Sequence, residues 1–252
     1  NATAPPYPPS LLVRDARRSE EAAALNLYPD AACRELTALL AEHLGVGEGN
    51  ILLANGSDDI LNFCFLAFCE RGVVFPDISY GFYEVFADLY HIDVLRPKMG
   101  AGLTIDPADY TGTGRCVVIA NPNAQTGVAL LVGKHENGLG VRTDSQSASL
   151  AGARLGYAVG PEELIEDLKK LKYSTNPYSV NRTALIAGAA AIRDWSYSAE
   201  NCRSIASERE RLASELKARG LELTDSRTHF ELAKPRGIGA QVFMEALRER
   251  GI

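Results

Sequence analysis

Apolar residues recur at helical spacing in several segments of the chain, and glycine or proline bounds most of them. In DAACRELTALLAEHLG, the leucines at positions 36, 39, 40 and 44 would share one face of a helix that Gly45 ends. The segment GFYEVFADLY predicts another helix, with Phe82, Val85, Phe86 and Leu89 facing inward. Further helices are predicted in DDILNFCFLAFC, PEELIEDLKKLKY, VNRTALIAGAAAIRDW, SAENCRSIASERERLASELKARG and GAQVFMEALRERG.

Short apolar runs between these helices predict strands. They are ILLA, GVVF, CVVI as a buried strand, the weaker GLGVRT, and LELTDSRTHFELAKP near the end. Strands that alternate with helices favour an α/β fold with a mainly parallel sheet covered on both faces. We predict an N-terminal proline-rich arm over residues 1–25, a large domain over 26–195 and a smaller C-terminal α+β lobe over 196–252.

Composition narrows the functional classes. Of the 252 residues, 46% are hydrophobic and 23% charged, which is typical of an ordinary globular protein. The net charge of -6 argues against nucleic-acid and polybasic membrane partners. The five cysteines form no CxxC and indicate reduced thiols in the cytoplasm. The four histidines make no metal-binding spacing, so we predict no structural metal, and no segment predicts a signal peptide or a membrane span.

Two segments could bind an anion. ANGSDD places Gly56, Ser57 and Asp58 at a strand-to-helix junction, where free backbone N–H groups attract negative charge. The alternative is a plain N-cap made by Ser57 or Asp58. In SLAGARLGY, Arg154 lies among small residues and could grip a phosphate with two N–H donors, or it could be a solvated hairpin residue.

Three more segments could contact a planar ring. Asn121 and Asn123 follow the predicted strand CVVI, although Asn-Pro and Thr-Gly are also ordinary turn formers. Tyr80 or Tyr83 in SYGFY could stack on a ring, or could belong to the core. NLYPD presents Tyr28 before a helix, where a capping turn would also explain the Pro-Asp pair.

Taken together in this order, NLYPD, ANGSDD, SYGFY, NPNAQTG, SLAGARLGY and NPYSVN resemble the histidinol-phosphate aminotransferases. These are fold type I enzymes that depend on pyridoxal 5′-phosphate (PLP). The resemblance implies amino transfer between histidinol phosphate and 2-oxoglutarate, in histidine biosynthesis, by a homodimer. A related phosphate-amino-acid enzyme, such as a threonine-phosphate decarboxylase, shares most of these motifs.

The resemblance also implies roles for single residues. The GSD backbone and Ser57, with Ser145 and Arg154, would hold the PLP phosphate. Tyr83 would stack on the pyridine ring, and Asn123 or its neighbour would face the ring oxygen. Two tyrosines complete the set: Tyr28 would reach the partner subunit's cofactor, and Tyr7 would face the substrate.

The chain departs from the family pattern where bonds are made and broken. The Schiff-base lysine lies eight positions before the arginine of the LAGxR turn, and here that position is Gln146. A glutamine amide nitrogen is not nucleophilic and cannot replace the lysine. The Asp-Glu-Ala-Tyr segment, which supplies the carboxylate to the pyridine nitrogen, is absent from the sequence. Gln125 replaces a proline, His229 replaces an asparagine, and we expect both domains to be shorter than in the family.

Three interpretations follow. The chain is an altered aminotransferase with impaired catalysis, a non-catalytic binder of PLP or phosphate, or a scaffold of the same fold without a ligand. A substitute lysine would rescue the first interpretation. The candidates are Lys134, Lys169, Lys170 and Lys172, but the last three share one amphipathic helix and are expected to form a solvated face.

Overall fold

The computed structural model describes residues 6–19, 24–130, 137–143 and 149–251. The chain divides into two compact units. The first unit contains residues 1–70 and 133–202, and the second contains residues 71–132 and 203–252. The predicted arm, large domain and small lobe divide the chain differently, and their boundaries stay a prediction.

The first unit is built on a three-stranded sheet in the order β1 (Ile51–Ala54), β6 (Gly156–Val159), β5 (Gly140–Thr143). Both pairings are antiparallel, with Ala54 and Thr143 each opposite Gly156. Among its described residues, the α-helices are α1 (Leu11–Ala16), α2 (Arg34–Leu44), α3 (Ser57–Phe68), α5 (Glu162–Thr175) and α6 (Arg182–Arg193). Helix α7 (Trp195–Ala218) follows α6.

Strand β1 is buried on both faces because its side chains alternate between two apolar clusters. Leu53 packs in a cluster with Leu36 of α2 and Ile192 of α6. Leu52 points to the opposite face, into a cluster with Ile60 of α3 and Leu168 of α5. Helices therefore cover both faces of the sheet and fix the end of β1, where the candidate site begins.

The second unit contains a parallel sheet in the order β3 (Val94–Leu95), β2 (Val73–Val74), β4 (Cys116–Val117). A short antiparallel pair joins β7 (Glu222–Leu223) to β8 (Ala233–Lys234). The helices that lie wholly within it are α4 (Phe82–Leu89) and α8 (Ala240–Arg248). The α/β class is confirmed, and the parallel pairing among the described strands occurs in this unit's sheet.

Three local expectations differ from the structure. Phe82, Val85 and Leu89 are exposed, while Tyr83, Phe86 and Ala87 form the buried face of α4. The predicted buried strand CVVI is only two residues long, and Val117 is exposed. The predicted single strand over 221–235 is the β7–β8 pair. Each error arises in a short apolar run, where period alone does not decide which side is covered.

The expected long charged helix is confirmed as α7, and the expected buried helix as α6. Residues 6–10 of the proline-rich start are not helical, and α1 begins at Leu11 with the Ser10 side chain accepting from the Val13 amide. Among the described helices, none combines the length and apolar character needed to cross a bilayer.

Candidate functional site

The turn between β1 and α3 leaves the start of the helix without a capping side chain. The N-cap is Gly56, in a positive-φ conformation (φ 86°, ψ 169°), rather than Ser57 or Asp58. The first backbone N–H groups of an α-helix have no partner within the helix, and the helix dipole makes that end attractive to anions. The simple N-cap interpretation of Ser57 and Asp58 is therefore wrong in its detail, since glycine has no side chain to accept these hydrogen bonds.

Arg154 lies beside this helix start. Its backbone is left-handed (φ 54°, ψ 56°), a conformation that is uncommon for a residue with a side chain. A Cβ atom at Gly56 would lie only 2.9 Å from the Arg154 Nη2 atom, so the missing side chain at 56 allows the close approach. The Arg154 side chain is half exposed. We call Gly56, Ser57 and Arg154 together the anion cup.

Gly156 packs closely against the backbone of Gly56 and Ser57 in the anion cup. A Cβ atom there would lie 2.5 Å from both the carbonyl carbon of Gly56 and the amide nitrogen of Ser57. The start of β6 therefore lies directly against the turn, as the pairing of Ala54 with Gly156 requires. Thr143 pairs with Gly156 from the other side, so β1 and β5 both end at this edge of the sheet. Ser145 and Gln146 lie outside the described residues.

Asp58 is the counter-charge of Arg154, with 3.4 Å between Oδ2 and Nη2. Both side chains are at least one-third exposed, and such an ion pair contributes only about 0–1 kcal/mol. A guanidinium carries five N–H donors, so this contact leaves others available to a ligand. Burial raises the pKa of the next carboxyl, Asp59, which accepts a hydrogen bond from the Asn55 amide.

Asn123, in the second unit, is engaged within the protein. Its amide nitrogen donates to the Ile78 carbonyl at 2.8 Å, and its side-chain oxygen accepts from the Gln125 and Thr126 amides. Gln125 donates to the Ser79 carbonyl at 3.0 Å. These bonds hold the segment that leads to Tyr80 and α4. The turn-forming role of Asn123 is thus observed, and its contact with a ring oxygen stays a prediction.

Tyr83 is only 5% exposed and is enclosed by other rings. Phe75 and Tyr80 each lie 5.6 Å away between ring centroids, Tyr80 in an edge-to-face arrangement. Burial, assisted by Tyr80, raises the pKa of Tyr83 to about 12. Within the second unit the ring has a core environment, while Tyr80 is less buried. Stacking of Tyr83 on a ligand stays a prediction.

Tyr28 lies in the first unit with 78% of its surface exposed. Its ring stacks on Tyr178 at 4.7 Å, and its carbonyl accepts from Arg182. The expected capping turn is also present, because the Asp30 carboxylate accepts from the Ala32 and Arg34 amides. The cross-subunit role that the resemblance implies for Tyr28 stays a prediction. Tyr7 is half-buried.

The lysines of α5 do not lie on one solvated face. Lys169 and Lys170 form ion pairs with Glu166 and Asp167. Lys172, by contrast, is only 2% exposed, which corrects the expectation from sequence. Its Nζ atom donates to the Ala31 carbonyl and lies 3.8 Å from the Cys33 sulfur, so the described contacts of all three lysines are with groups outside the anion cup. Lys134 lies outside the described residues.

The sequence contains a signal for the burial of Lys172 that our interpretation of the helix did not use. Ile165, Leu168 and Lys172 follow one another at positions i, i+3 and i+7, which is one helix face. The first two are fully buried. The charge led us to expect a surface residue, whereas the shared helix face indicates a buried one.

The chain belongs to the aminotransferase class I and II family. The family model matches residues 2–132 and 118–252, which together include nearly the whole chain.

Within this family, the chain is similar to individual histidinol-phosphate aminotransferases. The chain is 35% identical to a histidinol-phosphate aminotransferase of Brachyspira hyodysenteriae, over all of this chain and 81% of that protein. It is 33% identical to one of Clostridium beijerinckii, again over the whole chain and 80% of that protein. In structure it is similar to the histidinol-phosphate aminotransferase of Sinorhizobium meliloti in complex with pyridoxal 5′-phosphate. That match has a TM-score of 0.85 and 22% identity, over 99% of this chain and 78% of that one.

Proposed function

We propose that this protein is an aminotransferase of the histidinol-phosphate type that binds PLP, with the phosphate in the anion cup. The close approach of the Arg154 guanidinium to Gly56, which begins a helix without a capping side chain, carries this proposal. A helix N-terminus and a guanidinium together offer several charge-assisted donors to a phosphate. The identity to curated histidinol-phosphate aminotransferases supports the choice of cofactor and of a phosphorylated amine as substrate.

The remaining contacts follow from family membership. Ser145 would add a hydroxyl to the anion cup, Tyr83 would stack on the pyridine ring, and Asn123 or its neighbour would face the ring oxygen. Tyr7 would contact the substrate. Bound PLP supplies an electron-poor ring that draws electrons from an attached amine. This chain's residues hold the phosphate and orient the ring.

Gln146 limits this chemistry. An amide nitrogen neither bonds to an aldehyde nor moves a proton at neutral pH, so we expect PLP to be held without a covalent bond and amino transfer to be strongly impaired. A second feature points the same way. The alignment with the Brachyspira protein is 288 positions long, 36 more than this chain has residues, so at least that many positions have no residue here. We propose that they include the Asp-Glu-Ala-Tyr segment.

Phosphate binding is tested by titrating PLP into the wild-type protein and into Arg154→Ala. A charge-assisted hydrogen bond contributes about 1.5–3 kcal/mol. We therefore expect the Kd to rise roughly 10- to 100-fold. Arg193→Ala is the matched control, because Arg193 is equally exposed and also ion-paired, with Glu35. An unchanged Kd in Arg154→Ala would show that the anion cup does not bind the phosphate of PLP.

Covalent attachment is tested separately. After incubation with PLP and borohydride, we expect no mass adduct on the wild-type chain and one adduct on Gln146→Lys. An adduct on the wild-type chain would reveal another reactive lysine and contradict the assigned role of position 146. Failure of Gln146→Lys to gain the adduct, with PLP still bound, would mean that position 146 does not face the aldehyde.

We further propose that the active form is a cytoplasmic homodimer in which Tyr28 of each subunit reaches the other's cofactor. The exposed ring of Tyr28, braced by Tyr178, supports this arrangement. Sedimentation of the wild-type protein should give a dimer. PLP should bind more weakly to Tyr28→Ala than to Tyr178→Phe, since the latter retains the stacked ring.

A further inference from the structure

A buried amine–thiol pair lies within the first unit, and the cavity that its lysine lines is bordered by residues of β1. The Lys172 side chain enters the interior from the last turn of α5 and ends 3.8 Å from the Cys33 sulfur. Its Nζ atom also donates to the Ala31 carbonyl at 3.2 Å. Both side chains are almost completely buried, at 2% exposed for the lysine and 3% for the cysteine. An amine and a thiol are thus held side by side away from bulk water.

The backbone fixes the position of the sulfur. Cys33 directly precedes α2 and adopts a left-handed conformation (φ 52°, ψ 36°) that residues with a side chain rarely take. Its carbonyl accepts from the Thr37 amide in the first turn of the helix. The Sγ atom lies 3.8 Å from the Ala31 carbonyl, which also accepts from Lys172. The thiol and the amine therefore share one acceptor and stay within reach of each other.

Burial adjusts both groups. It raises the pKa of the Cys33 thiol and lowers that of the Lys172 amine, and in each case the partner's charge partly opposes the effect. A lysine with a lowered pKa has a larger neutral fraction, and the neutral amine is the nucleophile. The same amine can accept the proton of the thiol, and the resulting thiolate is the form that oxidants attack.

Access to the pair is limited to small molecules. A cavity of about 150 Å³ is lined by Cys33, and another of about 240 Å³ is lined by Lys172. One water molecule corresponds to roughly 30 Å³, so peroxide fits in either cavity. The 3% exposure of Cys33 disfavours attack on its sulfur by a bulky peptide thiol such as glutathione. An oxidised Cys33 would therefore meet Lys172 before any external thiol.

We propose that peroxide joins Cys33 to Lys172 through a sulfur–nitrogen bond. The thiolate attacks one peroxide oxygen, the O–O bond breaks, and sulfenic acid and water form. The Lys172 nitrogen then attacks the sulfur and displaces its hydroxyl group, which leaves as water with a proton from the amine. Overall, one thiol, one amine and one hydrogen peroxide give one sulfenamide and two waters. The sulfur is oxidised by two electrons, and the peroxide is reduced. Sulfenic acids are known to condense with nitrogen in this way.

The bond would link two distant parts of the chain, since Cys33 and Lys172 are 139 positions apart. It would tie the segment before α2 to the end of α5. A dithiol reductant would break it, returning the thiol and the amine.

The test uses the full chain with Cys202→Ser, which removes the exposed thiol. After treatment with hydrogen peroxide, peptide mapping should find the Cys33 and Lys172 peptides joined, with two hydrogens lost and no oxygen gained. Dithiothreitol should separate them. The Lys170→Arg variant, altered at the surface, should still form the link, and Lys172→Arg should not.

Two results would overturn the proposal. One is Cys33 carrying one or more added oxygens while the Lys172 peptide is unmodified. The other is a Cys33 thiol that does not react while the treated protein remains folded. Both results are read from peptide maps of the Cys202→Ser protein, which keeps Cys33 and Lys172. The test therefore does not depend on whether Lys172→Arg folds.

Discussion

Gly156 and Gly56 touch through their backbones, so closely that a Cβ atom on Gly156 would lie 2.5 Å from the Gly56 carbonyl carbon. The contact places the start of β6 against the turn that begins α3. The position of the anion cup thus depends on a residue that provides no chemical group of its own.

Gly156→Ala should disturb both stability and phosphate binding. The added methyl group meets backbone rather than a flexible side chain, so we expect a loss of about 1–3 kcal/mol in the free energy of unfolding. PLP should also bind more weakly, because the turn must move. Gly152→Ala is the control, since nothing lies within 4 Å of its Cβ position. Urea unfolding and PLP titration of both variants check the prediction. Equal behaviour of the two variants would contradict the close contact.

Phe86 and Leu89 should differ sharply on substitution by alanine. Phe86 is 7% exposed and Leu89 is 62% exposed, although both belong to the apolar pattern of α4. We expect Phe86→Ala to cost about 3–5 kcal/mol and Leu89→Ala to stay within about 0.5 kcal/mol. Chemical unfolding of the two variants measures this. A large loss for Leu89→Ala would show that this face is covered in the folded protein.

Tyr83 should make the protein sensitive to alkali. Its pKa is raised to about 12 in the folded state and is near 10 in the unfolded chain. The unfolded state therefore releases the proton first, so this contribution to stability is complete below pH 10 and is lost between pH 10 and 12. The difference corresponds to roughly 3 kcal/mol. The Tyr83→Phe variant should lack this loss when unfolding is followed across that range. Parallel curves for the two proteins would contradict the burial of the hydroxyl group.

Lys172 should have the opposite dependence on pH. Burial lowers its pKa in the folded state, so the unfolded chain binds the extra proton, and stability rises with pH until the unfolded amine loses its proton near pH 10.4. In a Cys33→Ala background, which removes the coupled thiol, Lys172→Met should be more stable than its parent at neutral pH. The gap should close as the pH approaches 10.4.

The control is Lys170→Met. Asp167 raises the pKa of that surface amine, so the contribution of Lys170 to stability changes with pH in the opposite direction. Unfolding measured at several pH values distinguishes the two substitutions. A gap for Lys172→Met that is constant with pH would mean that the amine keeps its ordinary pKa in the fold.

The sequence allowed the α/β class and most of the helices to be predicted, because long amphipathic segments and their glycine boundaries are strong local signals. Helices α2, α5 and α6 are examples. Three failures have one cause. The exposed side of α4, the half-exposed β4 and the split strand near residues 222 and 234 depend on what covers them, which a local pattern does not contain.

For the candidate site, the sequence predicted the residues but not their contacts. Arg154 and Gly56 could be named from their motifs, but their contact depends on strand β6, which pairs with β1 from about a hundred positions away. The internal hydrogen bonds of Asn123 and the enclosed ring of Tyr83 arise only from tertiary packing. Lys172 is another failure, since its charge led us to expect a solvated face although it shares a helix face with the buried Ile165 and Leu168.

The placement of β6 between β1 and β5 has a consequence for the growing polypeptide. Asp58 and Arg154 are 96 positions apart, so a ribosome must add that many residues after Asp58 before the anion cup can close. Loop closure over such a distance is slow compared with helix formation. A nascent chain that has emerged only through α3 has the helix end but not the arginine. We therefore expect the cofactor to be captured only after β6 has paired with β1, rather than to act as a seed for folding.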